Sequence, residues 1–472
     1  MYWVNLFRQR KILNLFLYGI AFALVFSPAG LFANEAATEG GAAHAAASFP
    51  LIFLWIAIIL MLAKVSALIE RVGQPAVLGE LLIGVVLGSL YLFGINFFED
   101  IKTNEIIHFL AELGVVILLF QIGIESSVKT MMKVGVPSFL VACVGVILPF
   151  VAVYFGGPWL APGLSSVAYM FLGATMTATS VGITARVLQD LGKAHTAEAR
   201  TIIGAAVIDD VLGLIILAVV SAIVIQGSID AKTLTIIILK AVAFLGGGII
   251  IGGWLAPRFS KFFSKVHTGV GMKFAVVIFF GLVFAYLAAL VGLAPIVGAF
   301  AGGLILTPVY FDEFTDPGFV TDLKTAMREE HVNGALSEKL DNIIHTHSHR
   351  HIEEFVQHLG HFFIPIFFVL TGMQVKVSAL MDMKVVMMAV LILIVALITK
   401  VLAGWAAGKG MNKLAVGVGM IPRGEVGLIF ANMGKTMGVM DDAVFSAMVI
   451  VIMGTTLVTP PMLAAVFRRI QA

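Results

Sequence analysis

The chain is 472 residues long, 60% of them hydrophobic and only 12% charged, with a mean hydropathy of +1.03. A soluble domain is roughly half apolar and about a quarter charged, so a soluble enzyme, a DNA-binding domain and a disordered scaffold are excluded. The chain reads as a polytopic membrane protein; its net charge of +2 points to no nucleic-acid partner, and a single cysteine, Cys143, excludes a disulfide framework or a Cys-based metal site.

Residues 1–33 start with Arg8, Arg10 and Lys11, continue through an apolar stretch over 12–26 and end in small residues. That is the order of a secretory signal. If cleaved, it leaves the mature N-terminus outside; if retained, it is an anchor helix. Both readings stand.

From residue 49 onward, apolar stretches of about 20 residues alternate with short polar breaks, as membrane helices require. The pattern predicts an all-α membrane domain over 49–472 with about thirteen transmembrane helices. They lie near 50–70, 74–94, 106–125, 136–156, 166–188, 199–225, 233–256, 272–292, 295–308, 361–376, 383–408, 412–434 and 441–467. With the N-terminus outside, the short inner loops carry fourteen Lys and Arg residues, running from Arg71 and Lys129 through Lys273 to Arg468 and Arg469. The outer loops carry only Lys102, Lys232, Lys376, Lys384 and Lys435. This bias sets a cytoplasmic C-terminus.

Two spans look interrupted. The fifth contains Thr177-Ala178-Thr179-Ser180-Val181-Gly182, and the twelfth contains Gly419-Met420-Ile421-Pro422-Arg423-Gly424-Glu425. Irregular backbone survives in a bilayer only where protein or a water-filled cavity satisfies it. The first break is fifth in spans one to six and the second is fifth in spans eight to thirteen. One span lies between, so the pattern predicts inverted six-helix repeats with two discontinuous crossing helices, a pointer to a transporter's substrate site. A simple proline or glycine kink is the alternative at each break.

Span six reads TIIGAAVIDDVLGLIILAVV, with Asp209 and Asp210 deep in an apolar helix. A charge at a helix centre costs roughly 2.5–3.5 kcal/mol on insertion scales, so two adjacent ones point to use. Consecutive helical residues diverge by about 100°; one carboxylate can face a cation path and the other a basic residue. Span eleven supplies a basic candidate, Lys400, which must pair, snorkel or lose its proton. A fixed structural salt bridge is the alternative. Burial and a neighbouring cation act on a carboxylate's proton affinity in opposite directions, so a metal monocation and a proton compete for the same oxygens. Carboxylates with the hydroxyls of Thr179 and Ser180 suit Na+ or Li+; a divalent site usually gathers more acidic oxygens or several histidines.

The segments TATSVGITARVLQDLG and AAVIDDVLGLIIL resemble those of the bacterial Nap-type sodium–proton antiporters, in the second branch of the monovalent cation:proton antiporters. GQPAVLGELLIGVVLG, AELGVVILLFQIGIE, FIPIFFVLTGMQV and IPRGEVGLIFA match as well. The resemblance implies a thirteen-helix fold with a core domain that includes 166–225 and 383–434, a dimerisation scaffold, homodimers and elevator-like alternating access. It implies that Asp210 binds the cation and proton while Asp209 pairs with Lys400. Electrogenic exchange is implied too, in contrast to electroneutral relatives with Asn-Asp at this position.

The chain departs from that pattern in its signal-like start and in a long inner loop near 309–360. The loop carries His345, His347, His349 and His351, followed by Glu353, Glu354, His358 and His361. Alternating histidines chelate Zn2+ or Ni2+ if extended; on a helix, His351, Glu354, His358 and His361 share a face. Regulatory metal binding, pH sensing and a solvated loop without specific function remain open. Near the second break, Pro422 starts a half-helix, and Arg423 and Glu425 either neutralise half-helix ends in support of gating, with Thr177, or pair with each other. Glu80 and Glu125 are expected to satisfy backbone near helix ends.

The function expected is secondary-active Na+ (or Li+)/H+ exchange in the inner membrane, with transported ions and no cofactor. The rivals are K+/H+ exchange and, less favoured, divalent-metal transport. An intramembrane aspartyl protease needs its two aspartates on different helices, and a non-transporting sensor is the remaining alternative.

Overall fold

A computed structural model describes residues 49–72, 74–125, 135–193, 196–226, 231–306, 314, 327 and 335–471. The proposed signal or anchor segment over 1–33 lies outside the described residues, as does most of 307–334. Among the described residues all regular structure is helical. In chain order the α-helices are α1 (Phe49–Ser66), α2 (Ala76–Ser89), α3 (Glu105–Glu125), α4 (Val136–Leu160), α5 (Ser166–Thr177), α6 (Val181–Asp190), α7 (Ala197–Gln226) and α8 (Ala231–Val266). They continue as α9 (Val270–Leu290), α10 (Pro295–Leu304), α11 (Ala335–Met373), α12 (Met383–Ala403), α13 (Lys413–Gly419), α14 (Glu425–Thr436) and α15 (Asp442–Gln471).

Ten of the described helical segments are long and apolar enough to cross a bilayer, and α10 is a shorter apolar helix. The two interrupted spans are pairs of half-helices, α5 with α6 and α13 with α14. The helices sort into two packing groups. One holds α1, α2, α3, α9, α10 and α11; the other holds α4 to α7 and α12 to α15. Helix α8 packs against α7 as well as against α9 and α10, so it leans on both groups.

Small residues let the first group close up. A Cβ on Gly84 of α2 would stand 2.9 Å from the Cα of Gly372 in α11, and a Cβ on Gly372 would stand 2.9 Å from that of Gly84. Such close approach is how membrane helices associate without a hydrophobic driving force between them.

Two stretches differ from the sequence reading. The inner loop over 309–360 is helical from Ala335 onward and runs unbroken into the span that ends at Met373. Its first part, ALSEKLDNIIHTHSHRHI, has good helix formers and no glycine or proline. At 39 residues the helix extends about 58 Å, well beyond a hydrocarbon core of about 30 Å; the crossing part is Glu353–Met373. The seventh span is likewise longer than 233–256, because α8 continues through a basic, Phe-rich end to Val266. Lys273, counted among inner-loop charges, is buried on α9.

Candidate ion-binding site at the crossed helix breaks

Both breaks fall inside the segments marked by composition. The first spans Ala178–Ser180, where short hydroxyl side chains compete with the backbone for hydrogen bonds. The second runs from Met420 to Gly424, where Pro422 lacks an N–H and disfavours the helical conformation of Ile421. The half-helices are started deliberately. Ser165 Oγ accepts from Ala168 N at 3.1 Å before α5, and Asn412 Oδ1 accepts from Ala415 N at 2.9 Å before α13.

Each break satisfies the other's open backbone. Ser180 N donates to the Pro422 carbonyl at 2.8 Å. Thr179 Oγ1 donates to the Met420 carbonyl at 3.1 Å, and Thr184 Oγ1 to that of Gly419 at 2.9 Å. In return Arg423 donates to the Met176 carbonyl from Nε at 3.2 Å and from Nη2 at 2.7 Å. Lys400 Nζ donates to the Thr177 carbonyl at 2.5 Å. Two cations thus sit at the carbonyl end of α5, where the helix dipole favours positive charge. Thr177 Oγ1 turns back to the Ala174 carbonyl at 2.7 Å. Close contact at the crossing needs Gly424, because a Cβ there would lie 2.9 Å from Ser180 Oγ.

The acidic pair lies against this crossing, halfway along the unbroken α7. Lys400 Nζ is 3.1 Å from Asp209 Oδ2, and both side chains are fully buried. Asp210 is 5% exposed. Asp209 Oδ1 and Asp210 Oδ1 are buried and have no hydrogen-bond partner. Glu425, first residue of α14, accepts from Ser180 Oγ at 3.3 Å and lies within electrostatic range of Asp210. An uncompensated buried carboxylate oxygen is costly, and a proton or a small hard cation is what each can accept.

The structure therefore brings Thr177, Thr179, Ser180, Asp209, Asp210, Lys400, Pro422, Arg423 and Glu425 together. It decides between the two readings of Arg423: the guanidinium caps carbonyls, including those of Ile421 at 3.1 Å and Ala396 at 3.4 Å. No ion pair joins it to Glu425 among the described residues. Thr455 and Thr456 of α15 are neighbours of the second break that composition alone did not mark. Arg423 N donates to Thr455 Oγ1 at 3.2 Å, and Thr456 Oγ1 donates to the Arg423 carbonyl at 2.7 Å. Their signal was the run of hydroxyls in GTTLVT, inside an apolar span.

The remaining candidates lie elsewhere. Glu125 accepts from Gln121 Nε2 at 2.9 Å, and Glu80 is buried in the second turn of α2 near Lys64. Neither bonds a backbone group at a helix end among the described residues, and the chain just beyond Glu125 lies outside them. The segment over 335–373 is helical, so the histidine alternation is not extended there. The rings of His358 and His361 are 6.2 Å apart, and His358 Nδ1 meets the Glu354 carbonyl at 2.5 Å. The side chains of His345, His347, His349 and His351 lie outside the described residues.

The sequence matches the family described as "Sodium/hydrogen exchanger, transmembrane" over residues 56–317 and 340–469. The chain belongs to that family. Among its relatives is the high-affinity Na(+)/H(+) antiporter NhaS3 of Synechocystis sp., 36% identical over 84% of this chain and 85% of that protein. The Na(+)/H(+)-K(+) antiporter GerN of Bacillus cereus is 33% identical, over 88% of this chain and 96% of the relative. The solved sodium proton antiporter MjNhaP1 of Methanocaldococcus jannaschii has the same fold. Its TM-score is 0.60 at 16% identity, over 88% of this chain and 96% of that one. This member of the exchanger family is a multi-pass membrane transporter rather than an enzyme, and cations and protons are the family's substrates.

Proposed function

We propose that the protein exchanges Na+, with Li+ as a second substrate, for protons across the inner membrane, and that Asp210 is the carboxylate both ions share. The observation that carries this reading is the division of labour in the acidic pair. Asp209 is held by Lys400, whereas Asp210 is buried within electrostatic range of Glu425 at the second break, with Oδ1 unpartnered. Sodium entering the site meets Asp210 with hydroxyl oxygens of Thr179 and Ser180 nearby; it displaces the proton because both need the same oxygens.

Lys400 is the second proton carrier in this scheme. When the cation binds, Asp209 is drawn toward it and the lysine loses its counterion, which favours its neutral form in a desolvated site. Two protons per cation make exchange electrogenic. The two packing groups support elevator-like access, with α4–α7 and α12–α15 carrying the site past a scaffold that forms a homodimer. Thirteen passages, inverted repeats, an outside N-terminus and a cytoplasmic C-terminus belong to the same proposal.

Potassium–proton exchange is the second reading, favoured by the name of GerN. The test is dye-detected pH change in proteoliposomes on adding Na+, Li+ or K+. Sodium and lithium responses with little from potassium support the first reading; a dominant potassium response supports the second.

A further inference from the structure

Helix α8 overshoots the bilayer, and its far end carries unbalanced charge. At 36 residues it is about 54 Å long, against a hydrocarbon core of about 30 Å. Arg258 lies about 29 Å along the axis from Leu239, where the apolar span begins. Lys261 and Lys265 follow it. From residue 231 to 306 the sequence holds six Lys and Arg residues and no Asp or Glu. Neither Arg258 nor Lys265 has an ion pair among the described residues.

The register of the helix sorts this end into three faces. Ala256, Ser260 and Ser264 are buried. Trp254, Arg258, Lys261 and Lys265 fall on one exposed face, with Leu255, Phe262 and Val266 on the exposed strip beside it. Phe262 is 63% exposed and Val266 64%. An apolar strip next to a basic one is the pattern of a helix at the membrane–water boundary. Trp254 marks the depth of that boundary, where indole rings gather. Arg258 is held in place there. Its guanidinium carbon lies 4.0 Å from the centroid of the Trp254 ring, and Nη1 donates to the Trp254 carbonyl at 2.7 Å. The other N–H donors of a planar fork suited to phosphate stay open.

We propose that this end of α8 is a docking surface for anionic phospholipid. Arg258, Lys261 and Lys265 face the phosphate, and Leu255, Phe262 and Val266 lie against the acyl chains. A second copy of the chain fits this end poorly, because a two-fold contact sets the same basic face against itself. A free phosphate would leave the apolar strip wet. Because α8 leans on both packing groups, a lipid held here fixes the depth of the helix that touches both. The inference is independent of Asp210 and of which ion is exchanged.

Thermal unfolding of the full-length protein in detergent, with phosphatidylglycerol or phosphatidylcholine added, tests it. Phosphatidylglycerol should raise the unfolding temperature about 2–4 °C above that in phosphatidylcholine. The double variant Arg258→Gln with Lys265→Gln should lose most of that difference while unfolding at the wild-type temperature in phosphatidylcholine. Lys240→Gln, at the opposite end of α8, should keep all of it, and inorganic phosphate should not reproduce it. In wild type, about 1 M choline chloride should shrink the difference by cutting the Debye length to about 3 Å. Equal shifts from both lipids, a difference unmoved by salt, a full shift in the double variant, the same loss in Lys240→Gln, or a matching shift from inorganic phosphate would each overturn the lipid surface. A dimer-to-monomer change in the double variant with its lipid shift intact would assign the face to a second copy instead.

Discussion

Arg423 grips the carbonyl of Met176 with two hydrogen bonds, at 3.2 and 2.7 Å, so a residue in the second helix break closes the open end of the first. The two interrupted spans are one structural unit. Their backbone groups could not remain unpaired in a bilayer, and the guanidinium's fixed fork meets a bent carbonyl end better than a single ammonium can.

Removing that side chain should therefore cost both stability and transport. In Arg423→Ala the Met176 carbonyl is left buried, and each such group costs about 1–3 kcal/mol. Thermal unfolding in detergent should fall clearly, with transport reduced at least about tenfold. Arg423→Lys should recover only part of either. Wild-type stability in Arg423→Ala would mean that the crossing is held by other contacts.

Lys400 makes a different prediction. Lys400→Ala leaves Asp209 buried without its cation, and breaking a buried pair costs about 3–5 kcal/mol. The double variant Lys400→Ala with Asp209→Asn should regain part of that stability. Wherever such variants still exchange ions, the rate in voltage-clamped proteoliposomes should no longer depend on membrane potential. Unchanged voltage dependence would remove Lys400 from the proton count.

Outside the membrane core, the bridge from Lys376 to Asp442 gives a pH prediction. Hydrogen bonding to Asp442 holds the Lys376 ammonium above its ordinary value of 10.5. A raised value in the folded state stabilises the fold fully below pH 10.5, and the contribution disappears as pH climbs through the raised value. Lys376→Gln should thus lower the unfolding temperature slightly at pH 8. The pair is exposed, so the loss should be at most about 1 kcal/mol, and it should vanish in strongly alkaline buffer.

The approach of α2 to α11 can be tested by size alone. Gly372→Val places atoms where the Gly84 Cα already stands, and overpacking of this kind costs about 1–3 kcal/mol. A Cβ at Gly247 in α8 would meet nothing within 4 Å. Gly247→Ala should accordingly be neutral or stabilise by up to about 1 kcal/mol. Equal effects at the two sites would contradict the packing described.

Much of the site was legible because membrane burial makes polar residues conspicuous. Asp209, Asp210 and Lys400 stand out against apolar helices, and Pro422 and the Thr-Ser patch mark where helices end. What composition could not supply was direction. Nothing in the order of residues says that Arg423 reaches back to Met176 instead of pairing with Glu425. The hydroxyls of Thr455 and Thr456 look like ordinary helix residues until α15 is laid beside the second break. The segment from Ala335 looked like a loop because it is polar, yet polarity without glycine or proline is what a helix needs when it leaves the bilayer.

The most direct measurement is sodium-driven proton movement in proteoliposomes containing Asp210→Asn, beside wild-type protein reconstituted to the same level. Asparagine keeps the size and shape of the side chain but can neither release a proton nor offer a charged oxygen. The account predicts a full response in wild type and none in the variant, with the variant still folded and monodisperse. A sodium response of wild-type size from Asp210→Asn would contradict it.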